Sequence, residues 1–432
     1  MELAATSVGI GGIFLMFFLL LIGVPVAFAL GTVAIVGLLL VSGVTVTLAQ
    51  TTFVAWQIGT DFVIMCIPLF VLMGKLVHHT GIASDLYSCV QKWIGHLQGG
   101  LAIAGVFACG AFGAVTGSSV ASVATMGSII MPQLQKFGYD NKLATGTLAA
   151  SGSLAILIPP SLGLVFYGIL TDTSIASLFI AGIIPGALLV VLYSIGIYVR
   201  CKVTPKLGPT GPRFSWKERV ASLKKTWPVF AIFLLVVGGI YGGVFTPTEA
   251  SGVGVFGVFV ISLVMKKLTW SNLKASLYDT GIISAMIFAI IISGYLMSRF
   301  LAVTGLTQLT VDYVTSLNPN KYSFILILLF IYIVLGTMLD VFGIMILTVP
   351  FFFPMVVSLK IDPVWFGIFT VIAMEVGLLT PPVGVNVFVM HKVAPEVPMR
   401  TIFLGIVSFT VFDLMVIGLI TAYPEVALWL TR

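Results

Sequence analysis

Two proline pairs interrupt apolar runs that are each long enough to cross a membrane. Pro159-Pro160 lies in Leu157-Ile158-Pro159-Pro160-Ser161, inside the run 143–170, and Pro381-Pro382 lies in Leu379-Thr380-Pro381-Pro382-Val383, inside 364–390. A proline within a helix has no N–H to donate and crowds the carbonyl four residues back. Each pair therefore breaks its span. The expected orphan carbonyls are those of Ala155 and Ile156 in the first break and of Gly377 and Leu378 in the second. Non-helical backbone at membrane depth is tolerated only where protein buries it or a watery cavity meets it.

The breaks stand 222 residues apart, and the same offset pairs Pro132 with Pro354, Pro25 with Pro247, Gly59 with Gly281, Asp140 with Asp362 and Phe166 with Phe388. Prolines in register at equivalent points of the hydropathy pattern indicate an internal duplication. Matched broken helices in two halves of a membrane protein point to a transporter's binding site.

Composition agrees. Hydrophobic residues make up 59% of the 432 and charged residues 8%, against about 25% charged in soluble domains. This leaves no room for a soluble domain and defines an all-α integral membrane protein. The net charge of +6 does not imply nucleic-acid binding, because the basic residues lie in loops, as orientation signals do. The four cysteines (Cys66, Cys89, Cys109, Cys201) have no zinc-like spacing and read as small apolar residues. Met1-Glu2-Leu3 has no basic leader, so the first apolar run reads as a retained span.

The first repeat, 1–199, holds spans at 7–22 and from Pro25 to about Leu40, an interfacial arm at 47–57, and a span from Phe62 to Val77. An amphipathic surface helix follows at 82–97, then a re-entrant hairpin at 100–137, the broken span 143–170 and a span from Ser174 to Val199. The linker 200–226 carries eight basic residues against one acid, Glu218, and is expected in the cytoplasm. The second repeat, 227–432, holds spans at 227–244 and 250–265, an arm at 266–278 and a span at 281–300. A surface helix at 306–317, a hairpin at 322–359, the broken span 364–390 and a last span at 402–421 complete it. With the linker inside, 17 of the 21 basic residues fall on the cytoplasmic side. The same threading inverts the two repeats, sends their hairpins in from opposite faces and places both termini outside.

Half-helix N-termini present positive dipole ends and free N–H groups, which suit an anion. Half-helix C-termini, freed carbonyls and hydroxyls present neutral oxygen, which suits Na⁺ better than a transition metal. The hairpin tips are Ala114-Val115-Thr116-Gly117-Ser118-Ser119 and Gly336-Thr337-Met338-Leu339-Asp340. Sodium is expected among Ala114, Ser118, Ser119, Ser153, Ala155, Ile156, Gly336, Thr337, Asp340, Gly377 and Thr380. The anion is expected among Thr116, Gly117, Pro160, Ser161, Pro382, Gly384 and Asn386.

Gly117-Ser118-Ser119 with Pro132, Gly138-Tyr139, Ile158-Pro159-Pro160-Ser161 and Ala181-Gly182-Ile183-Ile184-Pro185-Gly186 resemble the large membrane subunit of tripartite ATP-independent periplasmic (TRAP) transporters. Phe245-Thr246-Pro247-Thr248-Glu249-Ala250 and Thr380-Pro381-Pro382-Val383-Gly384 extend the resemblance over nearly the whole chain. It implies an elevator-type, Na⁺-driven importer in the bacterial inner membrane. It also implies two partners: a separate small membrane subunit of four spans and a periplasmic binding protein that delivers an organic acid.

Other polar residues divide. Asp340, at a tip and at bilayer depth, reads as a Na⁺ ligand or site organiser, with helix capping as the alternative. Glu375 orients the site or forms an interior pair or cap. Asp413 has no evident partner and reads as structural polar packing. Arg299 snorkels rather than meeting a carboxylate, and Glu249 caps a helix start. His78, His79, His96 and His391 share no helical face and suggest no metal or proton site. Competing functions are a stand-alone Na⁺-coupled organic-anion symporter of related architecture and a membrane anchor. An enzyme is excluded on motif grounds, since no GxSxG, HExxH or paired catalytic carboxylates occur.

Overall fold

The computed structural model describes residues 2–316 and 320–431. Every regular element among them is helical. Seven helices are long and apolar enough to cross a membrane, or up to nine if each strongly bent pair counts as one span. Leu317, the expected end of a surface helix, and Arg432 lie outside the described residues.

Three of the five further pairs matched at the 222-residue offset hold similar places, whereas Phe166 is fully buried and its counterpart Phe388 is exposed. Asp140 caps the helix Asn141–Leu157 by accepting from the Leu143 N–H at 3.0 Å. Asp362 caps Pro363–Leu379 by accepting from Val364 and Trp365 at 2.8 and 3.0 Å. Each such cap satisfies N–H groups that the first helical turn otherwise leaves unpaired. Pro25 immediately precedes the helix Val26–Thr60, and Pro247 is the first residue of Pro247–Val264. Pro132 and Pro354 each lie inside the second arm of a hairpin.

Of the two expected arms, the first is set off from its span by a kink and the second takes another form. In the first half, span and arm belong to one helical stretch, Val26–Thr60, bent at Gly43, whose φ of 78° and ψ of 172° leave the helix. In the second half the arm is joined to the following span instead. Trp270–Val303 runs unbroken through Gly281, so the separate arm expected at 266–278 is not a separate element. These two long stretches pack against each other. Their approach is close: a Cβ on Gly37 would overlap the Phe300 ring. Small residues of this kind let membrane helices approach to van der Waals contact.

The basic linker is also more ordered than a loop. Lys217 to Lys225 lie in the helix Trp216–Phe233. A capping box starts it, with the Ser215 hydroxyl accepting from the Glu218 N–H and the Glu218 carboxylate accepting from Ser215. The expected cap at Glu249 is present, as the same box with Thr246.

At the centre, Asn141–Leu157 packs against both arms of the first hairpin, Gly100–Thr116 and Ser119–Lys136, and against the last span, Met399–Ala422. The hairpin arms lie side by side, for a Cβ on Gly105 would meet Ile130 and Leu148 together. Pro363–Leu379 packs in turn on Lys321–Gly336, the first arm of the second hairpin, and on Met399–Ala422.

Candidate functional site

Both spans break where the prolines stand. Asn141–Leu157 gives way to Leu162–Thr171 with a bend of 42°. Pro363–Leu379 gives way to Val385–Val393. The peptide bonds Pro159–Pro160 and Pro381–Pro382 are both cis.

Each hairpin tip meets the break of its own half through backbone. At the first tip Gly117, with φ of 62°, turns the chain between the arms. Its carbonyl accepts from the Leu162 N–H at 3.2 Å, which opens the second half of the broken span. A Cβ on Gly113 would lie 2.3 Å from the Cα of Ala155, so the arm rests directly on the end of Asn141–Leu157. At the second tip Gly336 and Gly377 face each other, and a Cβ on either would lie 2.7 Å from the other's Cα.

The orphan carbonyls differ from expectation. The Ile156 carbonyl is taken by the Ser161 hydroxyl, which also accepts from the Leu164 N–H at 3.2 Å and so caps the following helix. The Gly377 carbonyl is taken by the Thr380 N–H at 2.9 Å. Helices close their last turns with tighter bonds or side chains when the regular donor is missing. Ala155 keeps the expected arrangement, since the residue four places on is Pro159, which has no N–H.

The tips and breaks converge on one cavity of about 520 Å³. Thr116, Gly117, Ser118 and Ser119 line it from the first tip, Asp340 from the second, and Ile156, Leu162, Leu378 and Val385 from the two breaks. Ser118 caps Ser119–Lys136 by accepting from the Ala121 N–H at 3.4 Å. Asp340 caps Val341–Ser358 by accepting from the Gly343 N–H at 2.9 Å. Capping uses one of its two carboxylate oxygens.

The remaining expected residues stand behind this wall or beside it. Ala114, Ser153, Pro160, Ser161, Gly336 and Thr337 are buried. Hydroxyl protons there go to the backbone, Ser153 to the Ala150 carbonyl at 2.5 Å and Thr337 to the Val334 carbonyl at 2.8 Å. Thr380 donates to the Val376 carbonyl at 2.6 Å. The second break is the more open of the two: Pro381, Pro382 and Val383 are exposed, whereas Pro159 and Pro160 are buried. Gly384, with φ of 58°, starts the helix after it.

A buried polar network backs the cavity. Asn386 Nδ2 donates to Glu375 Oε2 at 3.3 Å, and the Ser119 side chain lies beside the same carboxyl. Asp413, expected to stand alone, accepts from the Tyr193 hydroxyl at 2.6 Å. The pair was hidden in the sequence because the residues are 220 apart on different helices. Glu375 Oε1, Asn386 Oδ1 and Asp413 Oδ2 are buried without a hydrogen-bond partner. Arg299 sits over the Phe53 ring at 5.4 Å, away from the cavity. Two histidines do join a polar group: His79 Nε2 is 3.1 Å from Asp279 Oδ2, and His78 Nδ1 is 2.9 Å from Thr125 Oγ1.

The tip and break groups facing the cavity are hydroxyls, peptide groups and one carboxylate, and Lys75 and His78 line it beside them. No cluster of three or more His, Cys, Asp or Glu occurs among the described residues. The tip oxygens fit a hard cation, and a single imidazole with no thiolate makes no cage for a soft or borderline metal.

Broken helices and paired tips around a central cavity define a multi-pass membrane protein with a transporter's architecture. The fold matches that of the YdaH transporter of Alcanivorax borkumensis, with a TM-score of 0.63 over 89% of this chain and 90% of that one, at 14% identity. The family described as "Tripartite ATP-independent periplasmic transporter, DctM component" matches residues 13–426, and the chain belongs to it. It is 35% identical to a C4-dicarboxylate TRAP transporter large permease protein of Pseudomonas aeruginosa, over 86% of this chain and 87% of that protein. It is 30% identical to a sialic acid TRAP transporter large permease protein of Vibrio cholerae, over 98% of each. These relatives are permeases, in keeping with the absence of an enzyme motif.

Proposed function

We propose that this chain is the translocating subunit of a Na⁺-coupled importer of a small organic acid in a bacterial inner membrane. The carrying observation is the convergence of Ser118, Ser119 and Asp340, from two hairpin tips, with both helix breaks on one cavity. Sodium binds to the tip hydroxyls, the Asp340 carboxylate and the Ala155 carbonyl. The acid binds beside it at Thr116-Gly117, where the starts of Ser119–Lys136 and Leu162–Thr171 present positive helix ends. The bound cation offsets the acid's charge, so the two enter together.

The central helices and hairpins move as a carrier past the scaffold made by the long stretches Val26–Thr60 and Trp270–Val303. A separate small membrane subunit extends that scaffold, and a periplasmic binding protein delivers the acid. The named relatives make C4-dicarboxylates and sialic acid the first substrates to try. Proteoliposomes holding the chain with its small subunit test this reading. An inward Na⁺ gradient and binding protein should both be required for accumulation of succinate or N-acetylneuraminate. Accumulation without binding protein would favour a stand-alone symporter, and accumulation without Na⁺ would remove sodium from the account.

A further inference from the structure

The cavity has two basic side chains in its lining, Lys75 and His78, and neither belongs to a tip or a break. Both lie on the helix Cys66–His79, three residues apart and so on one face. Lys75 Nζ is 3.2 Å from Asp279 Oδ2 on Trp270–Val303, and the same oxygen is 3.1 Å from His79 Nε2. His78 Nδ1 is engaged with Thr125 Oγ1 on the second arm of the first hairpin, which leaves Nε2 as its remaining polar atom. The lining also carries Asp340, an acid.

The end of the chain segment that holds Lys75 is the end nearest the basic linker. The helix Ile82–Ile94 follows it directly and packs on Trp216–Phe233. The Lys92 ammonium lies 5.7 Å from the centre of the Phe214 ring in that linker. By the charge rule for membrane proteins the linker face is cytoplasmic.

We propose that Lys75 and His78 form a second anion subsite, on the cytoplasmic side of the cavity, which receives the carboxylate or sulfonate of the acid as it leaves the tips. The proposal rests on the transport reading above and adds a place for the substrate outside the tips and breaks. Lys75 exchanges Asp279 for the acid group. His79 stays on Asp279 during that exchange, so the departure of Lys75 does not strand a carboxylate. An unpaired charge in a partly buried place is the costly alternative. The site is partly wet and its lysine already has a competing acid, so it holds the anion loosely enough to let it go.

The test is thermal melting of the complex in nanodiscs with succinate, N-acetylneuraminate and isethionate as probes. At least one acid should raise the melting temperature of the wild type. Lys75→Met should raise the concentration for half of that shift at least about tenfold, the loss of one charge-assisted hydrogen bond. Lys75→Arg should keep most of it. In the double variant Lys75→Met with Asp279→Asn, where no acid is left unpaired, the response should stay as weak as in Lys75→Met. A response restored by Asp279→Asn, or undiminished in Lys75→Met, overturns the subsite and leaves the transport reading standing. A wild type that none of the three acids stabilises counts against both.

Discussion

Asp340 performs two tasks with one carboxylate, capping Val341–Ser358 through Gly343 and facing the cavity. The sequence offers a sodium or site-organising role and a cap as alternatives; the cap is present, and the residue lines the cavity. Serines behave similarly at the first tip, where Ser118 caps and lines the wall at once. Residue chemistry was legible where it is local: a cap, a tip, a proline. It was not legible where partners come from distant helices, as with Tyr193 and Asp413 or with His79 and Asp279. The Glu375 carboxyl has a nearer donor, Asn386, across the break on the next helix. Asn386→Leu removes it and is expected to destabilise the protein by about 1–3 kcal/mol, the usual cost of stranding a buried polar group. A melting curve in detergent checks this; an unchanged midpoint would show that Glu375 does not need the amide.

At the scale of elements, the breaks were legible because a proline pair acts on its own turn of helix. Their carbonyls were less so, because Ser161 and the Thr380 N–H come round to take two of them. Leu378 in the second break and Ala155 in the first each have a proline four places on, so in the first break Ala155 is the carbonyl left with no helical donor. Pro159→Ala gives it one, so the variant is expected to need more Na⁺ for half-maximal uptake; a superimposable Na⁺ activation curve would contradict this. The second-half arm at 266–278 was not legible as one helix with the following span, for a different reason. Where a helix leaves the bilayer for its surface depends on neighbours and depth, and apolar composition continues across the bend. The helical start of the linker does carry a sequence signal, Ser215 followed three places on by Glu218, the pattern of a capping box. Hydrogen bonds from the Ser215 hydroxyl and N–H hold the Glu218 pKa below the usual glutamate value. A lowered carboxylate pKa stabilises the folded form fully above the ordinary range and less as pH falls through the lowered value. Amide exchange across 215–219 should therefore quicken at acid pH beyond its intrinsic rate, and Glu218→Gln should remove that extra dependence.

For the whole molecule, the 222-residue offset was the most informative pattern, because it links caps, helix starts and breaks that local reading treats separately. Direction in the membrane and motion are not written in such a pattern, and they are tested by linking parts. His78, on the helix Cys66–His79 that packs against Trp270–Val303, touches Thr125 on the first hairpin at 2.9 Å, and the native cysteines among the described residues are buried. Cysteines placed at 78 and 125 and joined by a short thiol-bridging reagent should stop uptake, and uncoupling the thiols should restore it. Full uptake by the bridged protein would mean that scaffold and hairpin do not slide past each other. The central claim is that the cavity binds sodium beside the acid. Its most direct test is the Na⁺ dependence of uptake by reconstituted wild type and Asp340→Asn, a change that keeps a capping oxygen and removes the charge. The wild type should show steep activation by Na⁺ and the variant little uptake at any Na⁺ concentration while still assembling; equal activation curves would contradict the account.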